Sequence, residues 1–222
     1  MRRVLDGRAL LVTHVATTFG QQLAVALGEV GADVATTAYP FADRAGADAA
    51  FAATPRLDAV VHVCVDDTGL VPEPLVETTP DAWDARGEAL LRDAILTFQA
   101  AHARFVPTGT GRIVLVAPTA GFTGAGGFVP ATTAVEGVRA LAKSAARQWG
   151  PDGITVNAVL VPPGLVAPAL VAATTFDAPP VVGRLPDLHD DVAAAIALFT
   201  APTAGGITGS TVIVDGGSVM AP

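Results

Sequence analysis

The chain has 222 residues, 51% of them hydrophobic and 15% charged, with a net charge of −8 and one cysteine. That length suffices for one α/β domain with a full core, and the apolar share excludes a disordered chain. Lys143 is the only lysine and no basic stripe exists, so no nucleic-acid partner is expected; apolar runs such as 193–199 are too short to cross a bilayer, so no membrane partner is expected either.

Taken in chain order, the N-terminal residues 1–6 include Arg2 and Arg3 but no apolar signal core, which points to a cytoplasmic protein. Ala9–Val12 reads as a buried strand, and Phe19–Val30 as a helix with Leu23, Ala26, Leu27 and Val30 on one face and Gly31 as its stop. Asp33–Thr37 is a second strand, Asp43–Ala53 an Ala-rich helix, and Asp58–Val65 a third strand that holds Cys64 as a buried thiol. Thr79 caps a long helix with Pro80 in its first turn, running to about His102, its inner stripe marked by Trp83, Gly87, Leu90, Ala94 and Phe98. Arg112–Ala117 is a strand, Thr132–Trp149 a long helix, Ile154–Val159 a strand, Asp190–Thr200 a helix and Ser210–Val214 the last strand. The stretch 161–186 holds six prolines and reads as a lid-like loop within a single domain, 1–222.

Strands alternating with helices imply an α/β, doubly wound, Rossmann-like parallel sheet with helices on both faces. About twenty residues separate Thr37 from Asp58, room for one helix but not for a further strand and helix, so the sheet is expected to be one edge strand short.

Four segments then stand out. They are 206–217 (GITGSTVIVDGG), 153–159 (GITVNAV) with Pro163 and Gly164, 111–114 (GRIV), and 119–121 (TAG). In this order and spacing the chain resembles a short-chain dehydrogenase/reductase from about Asp6 to Gly217. The resemblance implies a first turn of the form Thr-Gly-x-x-x-Gly-x-Gly. Here Thr13 and Gly20 match, while His14 and Thr18 replace the first two glycines. Those glycines permit the tight turn and the close approach of a pyrophosphate to the helix N-terminus. The second strand ends in Thr36 and Thr37, without an acid for a ribose hydroxyl or an Arg for a 2′-phosphate. The family's Asn-Asn-Ala-Gly becomes His62-Val63-Cys64-Val65. Its proton-relay Asn, Ser, Tyr and Lys fall on Leu90, Pro118, Ala131 and Val135. In the family the Tyr exchanges the proton, the Lys lowers its pKa and the Ser polarises the carbonyl, and none of the four replacements can do so.

The expectation is therefore a degenerate member of that superfamily with no nicotinamide cofactor and no metal. It is expected to be a catalytically inactive pseudoenzyme, a structural or regulatory subunit in a homo-oligomer or a hetero-oligomer with a related dehydrogenase. The family assembles through its two long central helices and its terminal strand. The alternative is a nucleotide-independent lyase, isomerase or cyclase in a remodelled pocket of His14, His62, Asp66, Asp67, Thr119 and Thr132. His14 and His62 end neighbouring strands at the point where such sheets bind ligands. With Asp66 they bind a metal, perform acid–base chemistry there, or fill the hollow left by a nucleotide. Asn157 is expected in a structural hydrogen bond, and His102 and His189 at the surface.

Overall fold

The computed structural model describes residues 4–37, 41–64, 70–167 and 178–220. Strands β1 (Ala9–Thr13), β2 (Asp33–Thr37), β3 (Ala59–Val63), β4 (Gly111–Pro118), β5 (Ile154–Val161) and β6 (Thr211–Ile213) form one sheet. Its order is β2-β1-β3-β4-β5-β6 and every neighbouring pair is parallel. The helices are α1 (Thr18–Glu29), α2 (Arg44–Ala52), α3 (Pro80–Trp83), α4 (Ala89–Phe105), α5 (Ala120–Thr123), α6 (Val129–Trp149), α7 (Pro163–Val166) and α8 (Ala193–Thr200). Among the described residues no strand lies between Thr37 and Ala59; α2 fills that gap and β2 is an edge, as the short spacing implies.

Alternation along the strands divides the core. Leu10 and Val12 pack with Leu23 and Leu27 of α1 and with Ile196 and Phe199 of α8. Leu11 and Val60 point the other way, to Phe51 of α2, Phe98 and Phe105 of α4, and Ala142 and Ala146 of α6. The two-residue period of a strand forces this split, and helices on both faces make every residue of β1, β3, β4 and β5 buried. Each such Leu or Phe contributes roughly 1.5–3 kcal/mol by leaving water.

The structure moves several predicted boundaries. The long helix expected from Pro80 is α3, then a π-helical stretch at Asp84–Glu88, then α4, which reaches Phe105. Trp83, placed on the inner stripe by periodicity, is 36% exposed, because the wider π turn shifts the phase. Helix α6 starts at Val129, three residues before the predicted Thr132; Pro130 in the first turn needs no amide partner there. Close packing of the π-helical stretch and α4 on α6 depends on two glycines. A Cβ on Gly87 would stand 3.2 Å from the Pro130 carbonyl oxygen, and one on Gly137 would stand 2.8 Å from Leu91 Cδ2. Pro118 closes the central strand β4 opposite Val161, a place where its missing amide costs no internal ladder bond. Of the lid-like stretch 161–186, residues 168–177 lie outside the described residues.

Candidate functional site

The carboxyl ends of β1, β3, β4 and β5 carry the residues singled out in the sequence. Register sets Thr13 beside His62, and Thr13 Oγ1 and His62 Nδ1 share a hydrogen bond of 2.8 Å. His14 follows immediately. It is the one non-glycine among the described residues with a positive φ, +70°, a conformation that costs a side-chain-bearing residue on the order of 1–3 kcal/mol. Its Nδ1–H donates to the Val63 carbonyl at 2.7 Å, and the residue is 1% exposed. The imidazole therefore lies inside the fold, over the end of β3.

The turn into α1 is closed by its own side chains. Thr17 is the N-cap: its hydroxyl accepts from the Gly20 amide at 3.0 Å and donates to the His14 carbonyl at 3.3 Å. Gly20 is retained for packing, since a Cβ there would stand 2.4 Å from the His14 carbonyl oxygen. A dinucleotide pyrophosphate needs a free amide at this helix end and open space over the turn. Here the Gly20 amide is satisfied by Thr17, and His14 carries a buried ring where a glycine would leave room. The residues present do not fit a dinucleotide in the family's pose.

Burial disables His62, one member of the histidine pair, as an acid–base group. Burial, reinforced by the charge of His14, pushes His62 down to about 3, so it is neutral over the physiological range. Its ring meets Phe98 edge-on at 6.2 Å between centroids. Cys64 is buried and its thiol is pushed up to about 12, first by burial and then by the charge of Asp93; it is no nucleophile. Asp93 was not visible from sequence as a site residue. It is 3% exposed on α4 and is pushed up to about 6 by burial, against the pull of the Phe41 amide and of His14. The Phe41 amide donates to Asp93 Oδ1 at 3.2 Å. Residue 93 lies one position from Ala94 and three from Leu90, both on the predicted inner stripe, but that spacing marks a face and not a buried carboxyl. Thr97 is also fully buried on this face.

The four relay positions are all in the interior. Leu90 is 4% exposed, Ala131 0% and Val135 1%, and Pro118 is buried in β4. Val135 seals the space above α5: a Cβ on Gly121 would stand 2.6 Å from Val135 Cγ1. Thr119 is buried beyond the end of β4, and its amide donates to the Val161 carbonyl. The Thr132 hydroxyl donates to the Phe128 carbonyl at 2.9 Å, an intrahelical bond that ties it to its own backbone. Thr18, at the start of α1, is exposed. Asp66 and Asp67 lie outside the described residues, so the structure brings together Thr13, His14, His62, Cys64 and Asp93 but not the full expected pocket. Among the described residues no three histidine, cysteine or carboxylate side chains are placed to hold a metal ion.

Three outlying expectations have clear outcomes. Asn157 is structural: its Nδ2 donates to the Ile207 carbonyl and its Oδ1 accepts from the Ser210 amide. His102 is half-buried, stacked on Trp149 at 4.7 Å and paired with Asp152. His189 is also partly covered, paired with Glu29 across the end of α1.

The chain matches, over residues 6–219, the family model described as Enoyl-(Acyl carrier protein) reductase. It is 31% identical over 165 residues to the short-chain dehydrogenase/reductase eriH of Hericium erinaceus, a match covering 71% of this chain and 65% of that protein. It is 30% identical to a 3-oxoacyl-(acyl-carrier-protein) reductase of Synechocystis, over 72% of this chain and 66% of that protein. These two matches thus span just under two thirds of the relatives' own length. The 3-oxoacyl-(acyl-carrier-protein) reductase FabG of Vibrio cholerae is 28% identical, with 97% of this chain and 99% of that protein aligned. Among solved structures, levodione reductase superposes with a TM-score of 0.80 at 22% identity, over 96% of this chain and 98% of that one. A 3-ketoacyl-(acyl-carrier-protein) reductase of Brucella melitensis complexed with NADH gives 0.79 at 22% identity, over 96% and 99%. The chain belongs to the short-chain dehydrogenase/reductase superfamily.

The reading of this chain as a catalytically inactive pseudoenzyme, a structural or regulatory subunit, is corrected by these findings. The relatives are named as reductases and dehydrogenases, and nothing in them points to loss of activity. The same findings overturn the lyase, isomerase or cyclase alternative built on His14, His62 and Asp66. The physical reason is that residue types at counted positions say which groups are missing from one proton route. They do not say that no route exists. Among the described residues no helix is long and apolar enough to cross a membrane.

Proposed function

We propose that this chain is an oxidoreductase acting between a carbonyl and a hydroxyl carbon, with a 3-oxoacyl or 3-hydroxyacyl thioester as the substrate class. The observation that carries the reading is the reductase family match across residues 6–219. The relatives' names support the substrate class: they include 3-oxoacyl-(acyl-carrier-protein) reductases, a (3R)-3-hydroxyacyl-CoA dehydrogenase and an acetoacetyl-CoA reductase. In this reading the substrate lies over the carboxyl ends of β4 and β5, where Thr119 and Thr132 stand. Leu90, Pro118, Ala131 and Val135 exchange no proton, so the proton of the reaction passes through groups other than the family's Ser, Tyr and Lys.

The same reading makes the protein an oligomer in the cytoplasm, formed with copies of itself or with a related dehydrogenase subunit. Exposed Ile95 on α4 and Trp83 on α3 support pairing at the helical face, while Trp149 packs within the chain against His102 and Phe98. The test is oxidation of NADH or NADPH at millimolar concentration with acetoacetyl-CoA. It is run on the purified chain, and on the chain co-expressed with a related dehydrogenase from its host, with native mass spectrometry of each sample. Turnover above that of the co-expressed dehydrogenase alone, in an assembly containing this chain, is expected. Absence of any such turnover overturns the reading.

A further inference from the structure

The turn that opens the nucleotide end of the sheet holds itself shut. His14 keeps a left-handed backbone at φ +70° although it carries a side chain. Several contacts hold it there. Its ring donates to the Val63 carbonyl and is buried, its carbonyl accepts from the Thr17 hydroxyl, and Gly20 of α1 rests directly on that carbonyl. The Thr17 hydroxyl in turn occupies the Gly20 amide. Two anchors of a bound pyrophosphate, the amide and the space above the turn, are thus taken by the protein's own atoms.

We infer that His14 is an autoinhibitory plug at the dinucleotide mouth, and that a nicotinamide dinucleotide gains this turn only when the imidazole leaves the Val63 carbonyl. The inference rests on the oxidoreductase reading and assigns a regulation to that same site. Strain opposes the closed state, because a positive φ disfavours any residue with a Cβ. A glycine at this position keeps the turn, loses the strain and empties the space.

Binding, not turnover, decides it. NADH and NADPH are titrated into the full chain, followed by calorimetry and by energy transfer from Trp83 and Trp149, with ADP-ribose as competitor. The wild-type chain is expected to show no saturation below about a millimolar. His14→Gly is expected to bind at least about tenfold tighter, with ADP-ribose displacing the dinucleotide. His14→Ala removes the ring but keeps the strained backbone, and is expected to show a smaller gain; it serves as the second variant if the first fails to fold. Micromolar, saturable binding by the wild-type chain overturns the inference, whatever the variants do. So does a folded His14→Gly or His14→Ala that binds no better than wild type. If the turnover assay fails while His14→Gly gains affinity, the substrate reading falls and the plug stands.

Discussion

Two buried groups at the end of β3 and on α4 pull the acid stability of the molecule in opposite directions. His62 is depressed to about 3 from 6.5, so between those values the unfolded chain binds the proton and the folded one does not. Its contribution is full above pH 6.5 and is lost as pH falls toward 3. Asp93 is raised to about 6 from 3.8, so over that interval the folded chain holds the extra proton. Its contribution is full below 3.8 and is lost as pH rises through 6. Urea unfolding of Asp93→Asn, which keeps an acceptor for the Phe41 amide, should therefore show the variant gaining stability on wild type between pH 4.5 and pH 7. The gain is on the order of 1–3 kcal/mol. An unchanged difference between the two pH values would show that Asp93 is not held protonated in the fold. The burial of Leu90, Ala94 and Phe98 on α4 was legible from their helical spacing. Asp93 was not, because sequence periodicity marks apolar faces and says nothing of a carboxyl tolerated on one.

Elements were legible in kind more than in extent. Every predicted strand is present, but β4 and β5 each run further, to Pro118 and Val161, since parallel pairing continues until the backbone turns away. The π turn at Asp84–Glu88 leaves no mark in composition; it answers the contact of Gly87 with Pro130, which only packing reveals. The seam between α5 and α6 offers a sharp test of such packing. Gly121→Ala places a methyl 2.6 Å from Val135 Cγ1, and overpacking of that kind costs roughly 1–3 kcal/mol. Val135→Ala opens the space that the methyl needs, so the double variant should recover part of the loss, with a coupling of about 0.5–3 kcal/mol. Thermal melts of the four proteins measure it. Additive losses would mean that α5 moves away from α6 at no cost.

At the scale of the whole molecule the sheet is strong in the middle and thin at both margins. β4 and β5 pair over eight positions, whereas β6 joins through three and β2 sits outermost with partly exposed residues. Isotope labelling turns that gradient into a map. Amide deuterium uptake should be fast in peptides spanning 33–37 and 210–214, through local opening, and slow in 111–118 and 154–161, which exchange only when the whole chain unfolds. Equal protection across the sheet would contradict a marginal β6. The short strand then becomes a reporter: if copies of the chain meet along it, raising the protein concentration slows uptake in 210–214. If they meet through α4 and α6, the protected patch appears on those helices and the margin keeps its rapid exchange.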